Sequence, residues 1–584
     1  MKRRVALCLL VLLMTVSTFS VACNSASTSS TPASQSTAST PASASGGASA
    51  EESNYNPVGE MPIVKEQITL QIFAPSTDND SKREDNVQTK HLEELTNIKL
   101  EWRIAPGDSI KERMNLMFAS GDMTDIVMTG VGQASRLDMA SEALLGAQGL
   151  IIPLDEYFDT VSVGYKNAFD SLAGMREYIT TPDGKIYNLP NVDGSLHVQY
   201  NCKMWINTVW LDNLGLEIPK TTEDFYNVMK AFKERDANGN GNLNDEIPFS
   251  TCKSGPGTQI DGFLMNPFQL SPEDTRLYLD NGKVVFSPVT ENYREGLSYI
   301  SRMYKEGLIN PESFTQDRQN QVNVNESGPD AVIGAFIAQR PGYGADLSIY
   351  PDNSKKWEQY QVLDPLVGPG GQQITAWNPY IMYQTGMTFI TSSSKEPEAA
   401  FRLIDYLATE EGTMFSSFGI KGEHYVDAEP GELGLNGEPA VIKTLGGFNL
   451  TGENITWNQL TGLVRSPRIT EFMTVNPDPY AEDVTPLNGR QVVMYNASKR
   501  YEQYRQPIES VLPALYQSAE EVEEMSLLKT TVMDYCLESV VRFVTGDLDV
   551  EKDWDNYISQ LNNIGLERYI ELLQIAYDRS AFAK

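Results

Sequence analysis

Histidine is almost missing from this chain: His91, His197 and His424 are scattered through 584 residues and give no pair for a metal. Cysteine is nearly as scarce. Of five, Cys8 and Cys23 lie at the start, and Cys202, Cys252 and Cys536 are far apart, which supplies neither a disulfide framework nor a zinc site. Positive charge is the third shortage: 46 Lys and Arg face 78 Asp and Glu, a net charge of −32, which argues against a nucleic-acid partner. Past the N-terminus no apolar run approaches the roughly 18 residues of a spanning helix, so the mature part is expected to be soluble. Nucleotide-loop, nucleophile-elbow and His-Glu-x-x-His patterns are absent too. With 78 acids, a glycosidase-type pair of carboxylates across a cleft stays open as a minority reading.

What is present begins with an address. Lys2-Arg3-Arg4 precedes an apolar run over residues 5–16, and Val21-Ala22-Cys23 follows. This resembles a bacterial lipoprotein signal, with Ser20 standing where such signals usually have Leu. It implies lipidation (palmitate) of Cys23 as the mature N-terminus; an ordinary secretory signal cut near Ala22 is the alternative. Residues 24–60 begin with a long Ser, Thr, Ala, Pro and Gly tract. Side chains this small cannot repay the entropy of ordering, so the tract is expected to be a disordered tether reaching roughly 30 Å.

Periodicity then alternates between two and 3.6. Residues 67–73 read as a strand, 85–96 as a helix and 99–103 as a strand. A helix over 109–120 follows, with Ile110, Met114, Met117 and Phe118 on one face, then a strand over 126–128. That order starts a parallel α/β layer. Trp205-Ile206 sits in a predicted strand, and residues 208–214 form a short helix ended by Gly215. Thr221 and Asp224 have capping-box spacing, and Phe225, Val228, Met229 and Phe232 share the face of the helix that follows. A helix over 290–307, a buried strand over 332–337 and a helix over 397–409 continue the pattern, and the last eighty residues read as helical with a break at Gly546.

The helix ending at Arg235 runs straight into Asp236-Ala-Asn-Gly-Asn-Gly-Asn-Leu-Asn-Asp-Glu-Ile247. Oxygen-bearing side chains at Asp236, Asn238 and Asn240, with Gly241 at the sixth position, open like an EF-hand loop. The twelfth position, where a bidentate Glu normally closes the ring, is Ile247. A calcium loop and a plain Asn/Gly surface turn are both compatible with these residues.

Blocks spread over the chain carry a family resemblance. Met114-Asn-Leu-Met-Phe-Ala-Ser-Gly-Asp122, Trp205-Ile-Asn-Thr-Val-Trp-Leu-Asp-Asn-Leu-Gly215 and Asp236 through Asp245-Glu-Ile-Pro248 come first. Tyr304-Lys-Glu-Gly-Leu-Ile-Asn-Pro-Glu312, Tyr406-Leu-Ala-Thr-Glu-Glu-Gly412, Gly419-Ile-Lys-Gly-Glu-His-Tyr425 and Gly565-Leu-Glu-Arg-Tyr569 follow in order. The chain resembles the family 1 extracellular solute-binding lipoproteins of bacterial ABC importers, in particular the long subgroup that includes alginate-oligosaccharide-binding proteins. The resemblance implies a periplasmic-binding-protein-like α/β fold, type II-like, with two lobes and a ligand cleft between them. It places the N-lobe at about 61–195 plus a segment near 375–420, and the C-lobe at about 196–374 plus the C-terminal helices. It also implies a structural Ca²⁺ held by Asp236, Asn238, Asn240 and the main-chain oxygen of Asn242. Either Asp245 and Glu246 or Asn244 and Asp245 close that ring.

The implied function is capture of a carbohydrate, most simply an oligosaccharide, by a monomeric, lipid-anchored, extracellular receptor that hands it to the permease transmembrane subunits. A sugar-sensing or adhesion lipoprotein and a secreted glycoside-active enzyme are the alternatives. Sugar sites pair an aromatic platform with planar hydrogen-bonding groups. The candidates are Trp377, Asn378 and Tyr380 after a Gly-rich run, Tyr200 and Trp205, Phe336 with Tyr343, and Asp122 at a helix end, with core packing the alternative for each aromatic, Trp205 and Phe336 above all.

Overall fold

The computed structural model describes residues 53–76, 83–106, 109–130, 136–253, 255–346, 354–445, 454–457, 460–471, 473–474, 486–518 and 520–583, with backbone only for 486–488. The signal, Cys23 and most of the tether lie outside them.

Strand Ile68–Pro75 lies parallel to Ile98–Ala105 on one side and to Ile126–Met128 on the other. Thr388–Ile390 returns much later in sequence to pair antiparallel with Ile126–Met128, completing a four-stranded sheet. The first connecting helix, Val87–Thr96, is started by Asn86, whose side chain accepts from the backbone of Gln88 and Thr89. The second, Ile110–Ser120, buries Met114, Met117 and Phe118 as its spacing predicts, and Gly121 at φ 73° ends it. Helix Pro397–Leu407 covers this body, and its Asp405 carboxylate accepts from Ser162 Oγ and from the backbone N–H groups of Val163, Gly164 and Tyr165.

A second four-stranded sheet holds Tyr360–Leu363, Lys203–Asn207, Ile333–Ala338 and Ile247–Ser250 in that order. The capping box at Thr221 and Asp224 forms in both directions, and Phe225, Val228, Met229 and Phe232 are buried against this body. Helices Val522–Thr545, Trp554–Asn563 and Leu566–Arg579 pack on the same core. Residues 505–518 are not helical as expected, because Pro507 and Pro513 break the ladder and only the short 3₁₀ turn Ile508–Ser510 forms there.

Each sheet body has its own buried apolar cluster. A small third sheet (Tyr383–Gln384, Asn191–Asp193, Val464–Arg465) belongs to the first, through Tyr383, Val192 and Val464. Residues 454–457 and 460–464 also return to the first body, where Trp457 and Leu463 are buried.

Two expected ligand contacts are corrected here. Trp205 and Phe336 sit opposite each other on paired strands, at 1% and 0% exposure. The Trp205 indole donates to the Ala338 carbonyl at 3.0 Å, and the Phe336 ring lies 4.9 Å from Tyr360. Helix Pro486–Tyr501 covers them with Val493 and Ala497. A strand buried on both faces shows no alternation in sequence, so a core tryptophan there looks the same as a cleft tryptophan.

Glu142, in helix Met139–Ala147, is wholly buried. It accepts from Asn188 Nδ2 at 2.5 Å and from the Tyr516 hydroxyl at 2.9 Å, while Glu142 Oε2 has no partner among the described residues. Burial pushes its carboxyl up to about 8 from an ordinary 4.5.

Two outcomes follow from these burials. Trp205→Ala should lower the unfolding free energy by about 3–5 kcal/mol, read from urea denaturation, and a loss below about 1 kcal/mol would contradict the core placement. For Glu142, the folded chain keeps a proton that the unfolded chain has lost between its two pKa values. Its contribution to stability therefore falls as pH rises through that window, by about 1.4 kcal/mol per unit. Glu142→Gln should gain on the parent between pH 5 and 8 and level off above; parallel stability curves would refute the neutral form.

Candidate functional site

The chain passes between the two bodies at residues 193–203, and charged side chains from both collect there. From the first body, Asp193 Oδ2 accepts from Arg465 at 2.7 Å, on neighbouring parallel strands. Burial pulls the Asp193 carboxyl upward, but the Arg465 guanidinium, helped by hydrogen bonding from Ser195, outweighs it and holds it below the usual range. Next comes the short helix Leu196–Gln199, followed by Lys203, which donates to the carbonyls of His197 and Tyr200. Burial pushes His197 down to about 3, outweighing the pull of Asp193, so the imidazole is neutral. Burial also brings Lys203 down to about 7.

The second body contributes Arg340 and Arg490. Arg340 stands at the end of strand Ile333–Ala338 with its guanidinium 5.0 Å from the Tyr343 ring. Arg490 projects from helix Pro486–Tyr501, which packs against the short helix Leu196–Gln199. No group among the described residues accepts a hydrogen bond from Arg490, and its Nε is buried without a partner. Burial, with the charge of Arg340 added, brings its guanidinium down to about 10. The Arg465 Nε is also buried and unpartnered.

Beside this cluster, Tyr200 and Trp377 stack with ring centres 6.5 Å apart at 24°. The Trp377 indole donates to Gln199 Oε1 at 3.1 Å, and the Arg505 guanidinium lies 4.7 Å from its ring. Tyr200 is buried, whereas Trp377 is only partly so. The other named candidates are spread out. Tyr380 stacks on Tyr178 at 6.0 Å and meets Phe582, at the edge of a separate cavity of about 430 Å³ also lined by Tyr516 and Arg579. Asn378 accepts from the Tyr380 backbone, capping its own turn. Tyr343 is buried between Arg318 and Arg340, and Asp122 is an exposed partner of Arg103. The arginines were missed in sequence. A signal existed for Arg490: the positions three and four residues away on its helix are Pro486, Leu487, Val493 and Met494, none of them an acid.

The Asp236 loop folds as an inward-turned ring. Gly241 N–H donates to Asp236 Oδ2 at 2.9 Å, and Asn240 N–H to Asn238 Oδ1 at 3.0 Å. The Asn238 and Asn240 amides reach Asp245, and Ala237 N–H donates to Glu246 Oε1 at 3.0 Å. Asp236 Oδ1 and Glu246 Oε2 are buried with no partner. Asn244 is exposed, and its N–H donates to Asn242. Among the described residues no three His, Cys, Asp or Glu side chains gather as a metal group, so any cation here depends on the Asn oxygens.

Comparison with known proteins places the chain. A family model described as bacterial extracellular solute-binding protein matches residues 74–414. The chain is 27% identical over 539 residues to the fructooligosaccharide ABC transporter substrate-binding protein FusA of Streptococcus pneumoniae serotype 4, covering 91% of this chain and 94% of that one. It is 27% identical over 370 residues to lipoprotein LipO of Bacillus subtilis strain 168, covering 61% and 67%. Solved structures of S. pneumoniae FusA, one in complex with kestose and one an EF-hand mutant in complex with fructo-nystose, each match with a TM-score of 0.68 at 24% identity over 88% of this chain and 99% of that one. An HMO-binding, ABC-transporter-associated solute-binding protein from Bifidobacterium longum infantis reaches 0.71 at 18% identity, over 88% and 99%. At such identities the structures speak for the fold, which is periplasmic-binding-protein-like. The family consists of solute binders rather than enzymes. Its model covers more than half of the sequence, and the chain belongs to the bacterial extracellular solute-binding proteins.

Proposed function

We propose that this protein is the receptor of an ABC importer, capturing an oligosaccharide between two lobes and delivering it to the permease transmembrane subunits. The observation that carries the reading is the seam at residues 193–203. There an aromatic pair, Tyr200 and Trp377, adjoins hydrogen-bonding side chains drawn from both bodies. The similarity to a fructooligosaccharide receptor over 91% of the chain supports sugar as the solute class. One lobe is then 61–195 with the returning segment, whose packing extends the expected 375–420 onward to Val464; the other is 196–374 with the C-terminal helices. Stacking of a sugar face on Trp377 and pairing of its hydroxyls across the seam would draw the lobes together. A lipid on Cys23 and the tether behind it would keep the receptor beside its permease as a monomer, a reading supported by the similarity to a lipoprotein.

The residues of the Asp236 loop fit a calcium ion. Two buried carboxylate oxygens without partners, Asp236 Oδ1 and Glu246 Oε2, are what a bound cation would satisfy, and they favour Asp245 with Glu246 over Asn244 as the closing pair. Bound calcium supplies charge neutralisation for the loop's acids. Asn238, Asn240 and the Asn242 carbonyl would complete the oxygen set, and Asn213, which donates to the Ala237 carbonyl at 2.9 Å, fixes the loop to the helix Thr208–Leu214. An EF-hand mutant among the matching structures supports the same reading.

Calorimetric titration with a panel of oligosaccharides should yield at least one ligand near micromolar affinity, about −8 kcal/mol. Binding of peptides or metal chelates with no sugar bound would contradict sugar capture. Chelation should lower the melting temperature, consistent with the loss of about 2.7 kcal/mol when a cation at a hundredfold excess over its Kd is removed. Sugar affinity should stay nearly unchanged. A large affinity loss at temperatures where the chelated protein remains folded would contradict a purely structural loop.

A further inference from the structure

The seam's charge is opposite to the chain's. A protein of net charge −32 brings Arg340, Arg465 and Arg490 to the stretch 193–203, with Lys203 behind them; among the described residues Asp193 pairs with Arg465, and Glu502 acts on the neighbouring Tyr200. Most of the other arginines shown pairing with a carboxylate do so on the surface, as Arg294, Arg500, Arg568 and Arg579 do. Among the described residues Arg490 has none; it is half-buried, and the charge of Arg340 acts on it. Two cations pressed together without a counter-charge are unfavourable, and a guanidinium that gives up water without a partner adds to that cost. A protein stabilising only itself would place a carboxylate there, and this chain has many to spare. An arrangement that persists without one is suited to a counter-charge arriving with the ligand. The guanidinium fork matches an oxyanion in two-point geometry, better than it matches a single hydroxyl. The chain's overall field repels polyanions, so an anionic solute would need a locally basic cleft of this kind.

We infer that the solute is an acidic oligosaccharide whose carboxylate, or equivalent oxyanion, is received by Arg490 together with Arg340 and Arg465. The inference rests on the seam being the sugar site. Arg465 comes from one body while Arg340 and Arg490 come from the other, so an oxyanion between them would bind the two together.

Calorimetry on the full chain separates the possibilities, using tetragalacturonate, a sulfated oligosaccharide, and the carboxyl-reduced, neutral form of the first. The acidic sugar that binds should lose at least tenfold in affinity with Arg490→Gln and with Arg340→Gln. It should also weaken several-fold between 50 and 300 mM salt, and the neutral form should bind at least tenfold more weakly than its parent. Which of the two acidic probes responds tells a carboxylate from a sulfate. Thermal melts of both variants confirm folding, and having two variants keeps the test alive if one misfolds. If the neutral sugar binds as tightly as the acidic ones and both variants leave it unchanged, acid recognition is wrong while sugar capture stands. If no sugar of any charge binds to the folded protein, sugar capture fails and this inference with it.

Discussion

Two buried apolar cores, with Phe582 packed against both, flank a polar seam, and the rest of the molecule is arranged around it. Phe225, Met229, Phe249 and Tyr293 gather in one core and Leu70, Ile126, Phe158 and Phe401 in the other. Hydrophobic burial is satisfied within each body, so the residues between them need not be apolar. The seam is therefore free to hold Asp193, Arg465, Arg340 and Arg490, groups whose desolvation no core would tolerate unpaired.

Each body is steadied by buried polar contacts away from the seam. Asp405 collects four donors around the start of a helix in the first body. In the second, Asp261 and Arg276 form a buried two-point ion pair, and Tyr293 donates to the same carboxylate. The Asp236 loop, by contrast, is held by hydrogen bonds that are largely exposed. It follows directly on the end of helix Thr222–Glu234.

Local signals were legible in sequence because local physics decides them. The Thr221 capping box, the Gly121 and Gly215 helix ends, and the apolar faces of helices Ile110–Ser120, Thr222–Glu234 and Glu291–Lys305 all follow from spacing a few residues long. The ordered family blocks carried the fold for the same reason, as a sum of short patterns. The seam was not legible, since Asp193 meets Arg465, and the charge of Arg340 acts on Arg490, only through pairings far apart in the chain. Aromatic residue type misled: Trp205 and Phe336 are strand-core residues, while Tyr380 and Asn378 serve their own turn and a different aromatic group. Of the aromatics named, Trp377 and Tyr200 are the pair that the fold places beside the charged seam.

The central claim is that one solute is gripped by both bodies at once. A crystal structure with a bound oligosaccharide tests it most directly. The account predicts sugar density in contact with Arg465 or Asp193 on one side and Arg340 or Arg490 on the other, with Trp377 against a ring face. A sugar contacting residues of a single body, with the seam closed by the protein's own side chains, would contradict it.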